Sequence, residues 1–216
     1  MKRDTKGWLR PHEADLAPDP SAPGAGRCVG VLALQGAFAE HARALRRLGC
    51  DVVEVRLPAH LERCDAFVMP GGESTTMSKL LTTSQLFDPL AARIADGMPV
   101  FGTCAGMILL ATNVLDGRPD QRSFGVLDVT VRRNGYGRQV DSFETDLTVA
   151  GIPDPPVHAV FIRAPMVVTA GPSVEVLATH EGHPVLVRSS AVMASAFHPE
   201  LTADLRIHAR FLALSP

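Results

Sequence analysis

The stretch Val100-Phe101-Gly102-Thr103-Cys104-Ala105-Gly106 constrains this chain more than any other. An apolar run ends in glycine, a cysteine follows, and a small residue and a second glycine lead into Met107-Ile108-Leu109-Leu110-Ala111, which reads as an apolar helix. That order of residue types puts a nucleophile on a sharp turn between a buried strand and a helix. Its neighbours must be small because the turn is tight and a substrate has to approach the backbone. Far downstream, His198-Pro199-Glu200 sets a base and a carboxylate two residues apart. Together these residues suggest a Cys-His-Glu hydrolytic triad. A buried structural cysteine is the plainer reading of Cys104. Its place between Gly-Thr and Ala-Gly at a strand-to-helix junction favours catalysis.

The surrounding pattern supports such a turn. Val29 to Leu34 is a short continuous apolar run that reads as a buried parallel strand, and 51–55, 66–69 and 100–103 read as further strands. Phe38, Ala42, Leu45 and Leu48 recur at helical spacing, with Gly49 where a helix-ending glycine belongs. Further helical stretches start at Ser74 and cover 86–95. Alternation of strands and helices predicts an α/β fold of three layers, a mainly parallel sheet with helices on both faces. After Gly117 the pattern changes to strand-like runs at 126–131, 143–149, 159–163, 174–179, 185–188 and 192–197. These are expected to add antiparallel strands to the sheet and to form a flap. Residues 202–212 read as a last helix, with Thr202 or its neighbour as N-cap. Residues 1–27, rich in Pro, Ala, Asp and Gly without an apolar period, read as a disordered leader before a domain over 28–216.

Several function classes fall away. The net charge is -2, which offers no basic surface for nucleic acid, and no polybasic or amphipathic segment points to a membrane. The uncharged stretch 97–115 contains Pro99, Gly102, Gly106 and Asn113, and reads as strand, turn and buried helix rather than as a membrane span. The four cysteines, Cys28, Cys50, Cys64 and Cys104, form no CxxC pair, and Met1-Lys2-Arg3 leads into polar residues rather than a signal peptide. A reduced, cytoplasmic chain is the expectation. His60 and Cys64 have a spacing that can share a metal, but no second ligand pair accompanies them. Cys50 and Cys64 read as small buried hydrophobes. The proposed chemistry calls for neither metal nor cofactor.

Each part of the triad has a physical role. Cys104 must react as a thiolate, which the start of the following helix and a nearby imidazolium both favour. His198 is the base. Pro199 biases His198 toward an extended backbone, and in an extended segment residues i and i+2 share a side, so Glu200 can fix the tautomer of the imidazole. The other seven histidines read as surface or structural residues. Pro70-Gly71-Gly72-Glu73-Ser74 closes the third strand, where parallel sheets form their ligand crevice. Gly72 N–H and Ala105 N–H are the candidate oxyanion donors. Alone, a Pro-Gly-Gly segment is only a turn.

Six segments extend the pattern: Leu32-Ala33-Leu34-Gln35-Gly36 with Glu40-His41, Pro70-Gly71-Gly72-Glu73-Ser74-Thr75-Thr76, Phe101 to Gly106, Arg133-Asn134 with Gly137-Arg138-Gln139-Val140-Asp141-Ser142-Phe143, Phe161-Ile162-Arg163-Ala164-Pro165, and Phe197-His198-Pro199-Glu200-Leu201. From about Val29 to Leu214 the chain resembles the class I, triad-type glutamine amidotransferases, and more particularly the glutaminase subunits of pyridoxal 5′-phosphate synthase. The leader is the main departure from that family. The resemblance implies hydrolysis of L-glutamine to glutamate and ammonia, with the substrate held at Gly71, Gly72, Glu73, Arg133, Ile162 and Arg163. Glutamine carries an α-ammonium and an α-carboxylate, so a selective pocket needs both acceptors and donors. Without the resemblance, Arg133 and Arg163 read as surface salt-bridge partners, and Arg132 should point away from Arg133. Gln35-Gly36 reads equally as part of the crevice rim or as the approach to a helix.

The resemblance further implies a partner. Ammonia would pass to a separate (β/α)8-barrel synthase subunit that makes pyridoxal 5′-phosphate from ribose 5-phosphate and glyceraldehyde 3-phosphate, in a complex of up to twelve plus twelve subunits. Three rivals remain. A glutaminase subunit of another amidotransferase is disfavoured by Gly137 to Phe143. A cysteine peptidase or chaperone of the related elbow family is disfavoured by His198-Pro199-Glu200. A catalytically silent binding subunit is disfavoured by the complete triad.

Overall fold

The four strands expected in the first half lie side by side and parallel, with the candidate nucleophile at the end of a central one. The computed structural model describes residues 21–133, 135 and 142–214. In chain order its elements are β1 (Cys28–Leu32), α1 (Phe38–Arg47), β2 (Asp51–Val55), β3 (Ala66–Met69), α2 (Ser74–Thr83), α3 (Phe87–Ala95), β4 (Val100–Thr103), α4 (Ala105–Leu110), β5 (Ala111–Leu115), β6 (Leu127–Arg132), β7 (Phe143–Leu147), β8 (Val157–Phe161), β9 (Met166–Ala170), β10 (Glu175–His180), β11 (His183–Ser189), β12 (Val192–Ser195) and α5 (Arg206–Leu212). Short 3-10 turns cover Pro58–Arg63 and Pro199–Leu201. The leader expected over 1–27 falls largely on residues 1–20, outside the described residues. Residues 21–27 form turns tied to the domain by Gly24 N–H donating to Leu48 O at 2.8 Å.

The main sheet has seven strands in the order β10-β11-β12-β4-β3-β1-β2. β12, β4, β3, β1 and β2 run parallel, and β11 runs antiparallel between β12 and β10. Strand pleat assigns the two faces. Phe101 and Thr103 of β4 point toward α1 and α5, where Phe101 stacks on Phe211 and Thr103 reaches His41. Gly102 faces α4, and a Cβ there would lie 2.6 Å from the Gly106 carbonyl carbon. Helices therefore cover both faces, the three-layer arrangement that the sequence predicts.

The second half departs from the expectation in three ways. Only β10, β11 and β12 join the main sheet, and β12 joins it parallel. The remaining strands form a three-stranded sheet, β5-β6-β9, and a two-stranded pair, β7-β8. β5 and β9 have no counterpart among the expected strands. The apolar run through Ala111 reads as helix, and Met166–Ala170 lies beyond a proline with only Val167 fully buried. The last helix starts at Arg206 rather than near Thr202. Thr202 instead closes the 3-10 turn, its hydroxyl donating to Pro199 O. Among the described residues no helix is long and apolar enough to cross a membrane.

Candidate active site

Cys104 stands at the junction of β4 and α4 with φ 48° and ψ −102°. This is a left-handed backbone that costs a non-glycine residue energy and persists where the surroundings hold it. Two contacts hold it. Cys104 N–H donates to Ser195 O of β12 at 2.8 Å. Gly106 lets the first turn of α4 press on β3, since a Cβ at that position would lie 2.2 Å from Met69 O. The sulfur is nearly buried, and its thiol faces the carbonyl of Ile162 at 3.8 Å.

His198 follows β12, with its N–H donating to Val160 O of β8 at 2.9 Å. Its Nδ1 lies 2.7 Å from Glu200 Oε1. The pairing does not come from an extended segment, as the sequence suggests. The 3-10 turn Pro199–Leu201 makes it by folding the carboxylate back under the ring. With Nδ1 committed to Glu200, Nε2 is left for Cys104, which also acts on the imidazole. Burial acts most strongly on His198 and would lower its pKa. The hydrogen bonds and charges of Cys104 and Glu200 together outweigh burial and raise it to about 10. Burial would likewise raise the pKa of Glu200, but the neighbouring His41 imidazole and the hydrogen bond and charge of His198 hold it below the ordinary value.

A cleft of about 360 Å³ opens over these side chains. Its walls include Gly36, Gly71, Gly72, Glu73, Cys104, Arg133, Ile162, Arg163 and His198. Every residue expected to hold the substrate therefore lies in one concavity with Cys104 and His198. Gly71 and Gly72 lie at the carboxyl end of β3, where Gly71 must be glycine because a Cβ would lie 2.3 Å from His198 Cε1. Gln35 Oε1 accepts from Glu73 N–H at 3.2 Å, so the loop after β1 braces the Gly71-Gly72 turn and borders the cleft. Ala105 is buried behind the cysteine as the first residue of α4, where a helix leaves N–H groups without intrahelical acceptors.

Glu73 and Arg133 face each other. Arg133 Nη2 donates to Glu73 Oε1 at 2.9 Å, and Nη1 donates to Thr75 Oγ1 at 3.1 Å. Glu73 also caps α2, accepting from Thr75 N–H and Thr76 N–H. Partial burial would raise its pKa, but the bonds from Thr76 and Thr75 outweigh this and bring it to about 2. Arg132, on the other side of the strand, pairs with Asp116 at 3.6 Å. Arg163 lines the cleft with φ 47°, a second left-handed residue at the site. Asn134 and Gly137 to Asp141, which share a sequence segment with Arg133, lie outside the described residues. The small sheets of the second half thus deliver Arg133, after β6, and Ile162-Arg163, after β8, over the ends of the main strands.

Sequence reading misses the buried polar cluster beneath the triad. His41 and His208 are fully buried, with His41 Nδ1 at 3.0 Å from His208 Nε2. His41 sits within the apolar stripe of α1, beside Ala42, Ala44 and Leu45. A polar residue in such a stripe is the signal that could have found it. His60, whose spacing from Cys64 suits a metal, instead accepts from Arg56 N–H at 3.2 Å.

The family model described as the SNO glutamine amidotransferase family matches residues 31–214. A protein of Parafrankia sp. (strain EAN1pec), called pyridoxal 5′-phosphate synthase subunit PdxT, is 58% identical over 186 residues, covering 86% of this chain and 92% of its own. A protein of the same name from Nocardia farcinica is 56% identical over 201 residues, covering 91% and 89%. A crystal structure described as a glutamine amidotransferase superposes with a TM-score of 0.80 at 52% identity, over 85% of this chain and 96% of that one. A glutamine amidotransferase of Thermotoga maritima, 14% identical with a TM-score of 0.55 over 87% and 90% of the two chains, shares the fold.

Proposed function

The chain belongs to the SNO glutamine amidotransferase family, and on that premise we propose that it hydrolyses L-glutamine to L-glutamate and ammonia as the glutaminase subunit of a pyridoxal 5′-phosphate synthase. The observation that carries the reading is the single cleft that joins Cys104 and His198 to Glu73, Arg133 and Arg163. Glu73 and Arg133 offer the acceptor and donor for the α-ammonium and α-carboxylate of glutamine, with Gly71, Gly72, Ile162 and Arg163 shaping the rest of the pocket.

The reaction follows from the triad. The Cys104 thiolate attacks the side-chain carboxamide carbon, forming a C–S bond and moving an electron pair onto the oxygen. Gly72 N–H and Ala105 N–H stabilise that oxyanion. The His198 imidazolium gives its proton to the leaving nitrogen, the C–N bond breaks, and ammonia departs. His198, now neutral, takes a proton from water as the water attacks the glutamyl thioester. The C–S bond breaks, glutamate leaves, and the thiolate and imidazolium return. Glu200 holds His198 in the tautomer this cycle needs.

Released ammonia needs an acceptor, and the relatives are named as subunits of a synthase. The proposed partner is a separate (β/α)8-barrel subunit, in assemblies of up to twelve plus twelve chains in the cytoplasm. Leu201 and Ile162, both at the cleft and more than a third exposed, give the rim an apolar surface for docking. Docking is then coupled to catalysis, and the chain alone is a weakly active monomer. Glutamate release with and without the synthase subunit tests this. Stimulation is expected, and equal rates reject activation by docking.

A further inference from the structure

The catalytic carboxylate has a second oxygen that the triad does not use. Glu200 is buried, and its Oε2 makes no hydrogen bond of good geometry, while Oε1 is committed to His198. A buried carboxylate oxygen without a donor is costly. His41 Nε2, reaching down from α1, lies 3.3 Å from it, and the same nitrogen is 3.1 Å from Thr103 Oγ1 at the end of β4. On its other side His41 meets His208 of α5, whose Nδ1 is buried with no partner.

Proton counting decides between two arrangements. If His41 carries its proton on Nδ1, it donates to His208 Nε2. His208 must then carry its own proton on Nδ1, a buried N–H with no acceptor, and Glu200 Oε2 is left without a donor. If His41 carries its proton on Nε2, that N–H serves Glu200 Oε2, shared with Thr103 Oγ1, and Nδ1 accepts from His208 Nε2–H. Only the lone pair of His208 Nδ1 then goes unpaired. The second arrangement strands one acceptor, whereas the first strands a donor and a carboxylate oxygen.

We propose that His41 is a positioning residue of the active site: neutral and protonated on Nε2, it anchors the second oxygen of Glu200 and so holds the carboxylate against His198, with His208 and Thr103 fixing its own orientation. The proposal deepens the glutaminase reading and rests on it. Both histidines stay uncharged. Burial dominates in lowering the pKa of His41, despite the opposing charge of Glu200, and takes that of His208 down to about 3. The charged and titratable groups that act on the pair are Glu40 on α1, His198 and Glu200 after β12, and Asp204 ahead of α5. A neutral donor suits this place, because it holds the carboxylate without cancelling the charge that supports the imidazolium.

The test compares wild type with His41→Leu, which removes the donor, and His41→Gln, whose amide nitrogen can replace Nε2. Three quantities are read: kcat and KM for glutamine in complex with the synthase subunit, the pH midpoint of Cys104 alkylation by iodoacetamide, and the unfolding temperature. For His41→Leu, kcat should fall about ten- to hundredfold with KM within about twofold, as for a group that acts only through the reacting residues. The alkylation midpoint should rise, because a displaced or protonated Glu200 supports the imidazolium less. His41→Gln should recover most of both. A variant-free measurement stands beside these: nitrogen NMR of 15N-histidine-labelled wild type should show His41 neutral with its proton on Nε2. Wild-type kcat and midpoint in folded His41→Leu, or a His41 protonated on Nδ1, overturn the proposal. If His41→Leu does not fold, the tautomer alone decides. Wild type without glutaminase activity defeats the functional reading instead, and that result is distinguishable because alkylation and tautomer do not depend on turnover.

Discussion

Gly71 and His198 meet with no space between them: a Cβ on Gly71 would lie 2.3 Å from the imidazole Cε1 and 3.3 Å from Cys104 Cβ. Gly71→Ala must therefore push the ring away from the sulfur. The expected outcome is a loss of kcat of about a hundredfold or more, since displacement of about 1 Å in a catalytic group costs on that order. The unfolding temperature should change little. Near-normal kcat in Gly71→Ala would show that the imidazole does not need this place.

The raised pKa of His198 makes stability depend on pH. Its folded value of about 10 lies above the ordinary 6.5. Protonated His198 therefore stabilises the fold fully below about pH 6.5, and that contribution is lost as pH rises through about 10. Unfolding free energies measured by denaturant between pH 6.5 and 10 should fall more steeply for wild type than for His198→Gln. Parallel curves contradict the ion pair with Glu200.

The cysteines should differ in reactivity. Burial raises the thiol of Cys50 to about 11 and that of Cys64 to about 12. Burial, followed by the charge of Asp51, also raises Cys28. The thiolate is the reacting form. At neutral pH iodoacetamide should label Cys104 first, with Cys50 and Cys64 reacting only on unfolding, as read by peptide mass spectrometry. Equal labelling of Cys64 and Cys104 in the folded protein contradicts a specially activated Cys104.

Arg133 and Glu73 form a charge pair at the cleft wall, 2.9 Å apart. Arg133→Met should raise KM for glutamine about tenfold or more, because a hydrogen bond to a charged group contributes about 1.5–3 kcal/mol. The effect on kcat should be smaller. Glu73, held near pKa 2, adds no titration of its own to KM between pH 5 and 8. Steady-state kinetics against pH check both points. An unchanged KM in Arg133→Met removes the residue from substrate binding.

Much of this is legible in the chain because the signals are local. The elbow needs glycine on both sides of Cys104, and the structure has Gly102 against α4 and Gly106 against β3. The buried strands β1 and β3 announce themselves as unbroken apolar runs. What escapes depends on contacts between distant segments. Thr202 is a good capping residue by type, yet it ends a 3-10 turn because Glu200 must fold under His198. β5 continues an apolar helical run and becomes a strand only by pairing with β6. His41 is 167 residues from His208 and 159 from Glu200, and no periodicity reveals that these side chains meet.

The most direct test of the account is the Cys104→Ala protein in complex with the synthase subunit. With glutamine as nitrogen source, wild type should release glutamate and support pyridoxal 5′-phosphate formation, while Cys104→Ala does neither. With ammonium salt in place of glutamine, both complexes should form pyridoxal 5′-phosphate equally. Glutamate release by Cys104→Ala at the wild-type rate would contradict the central claim.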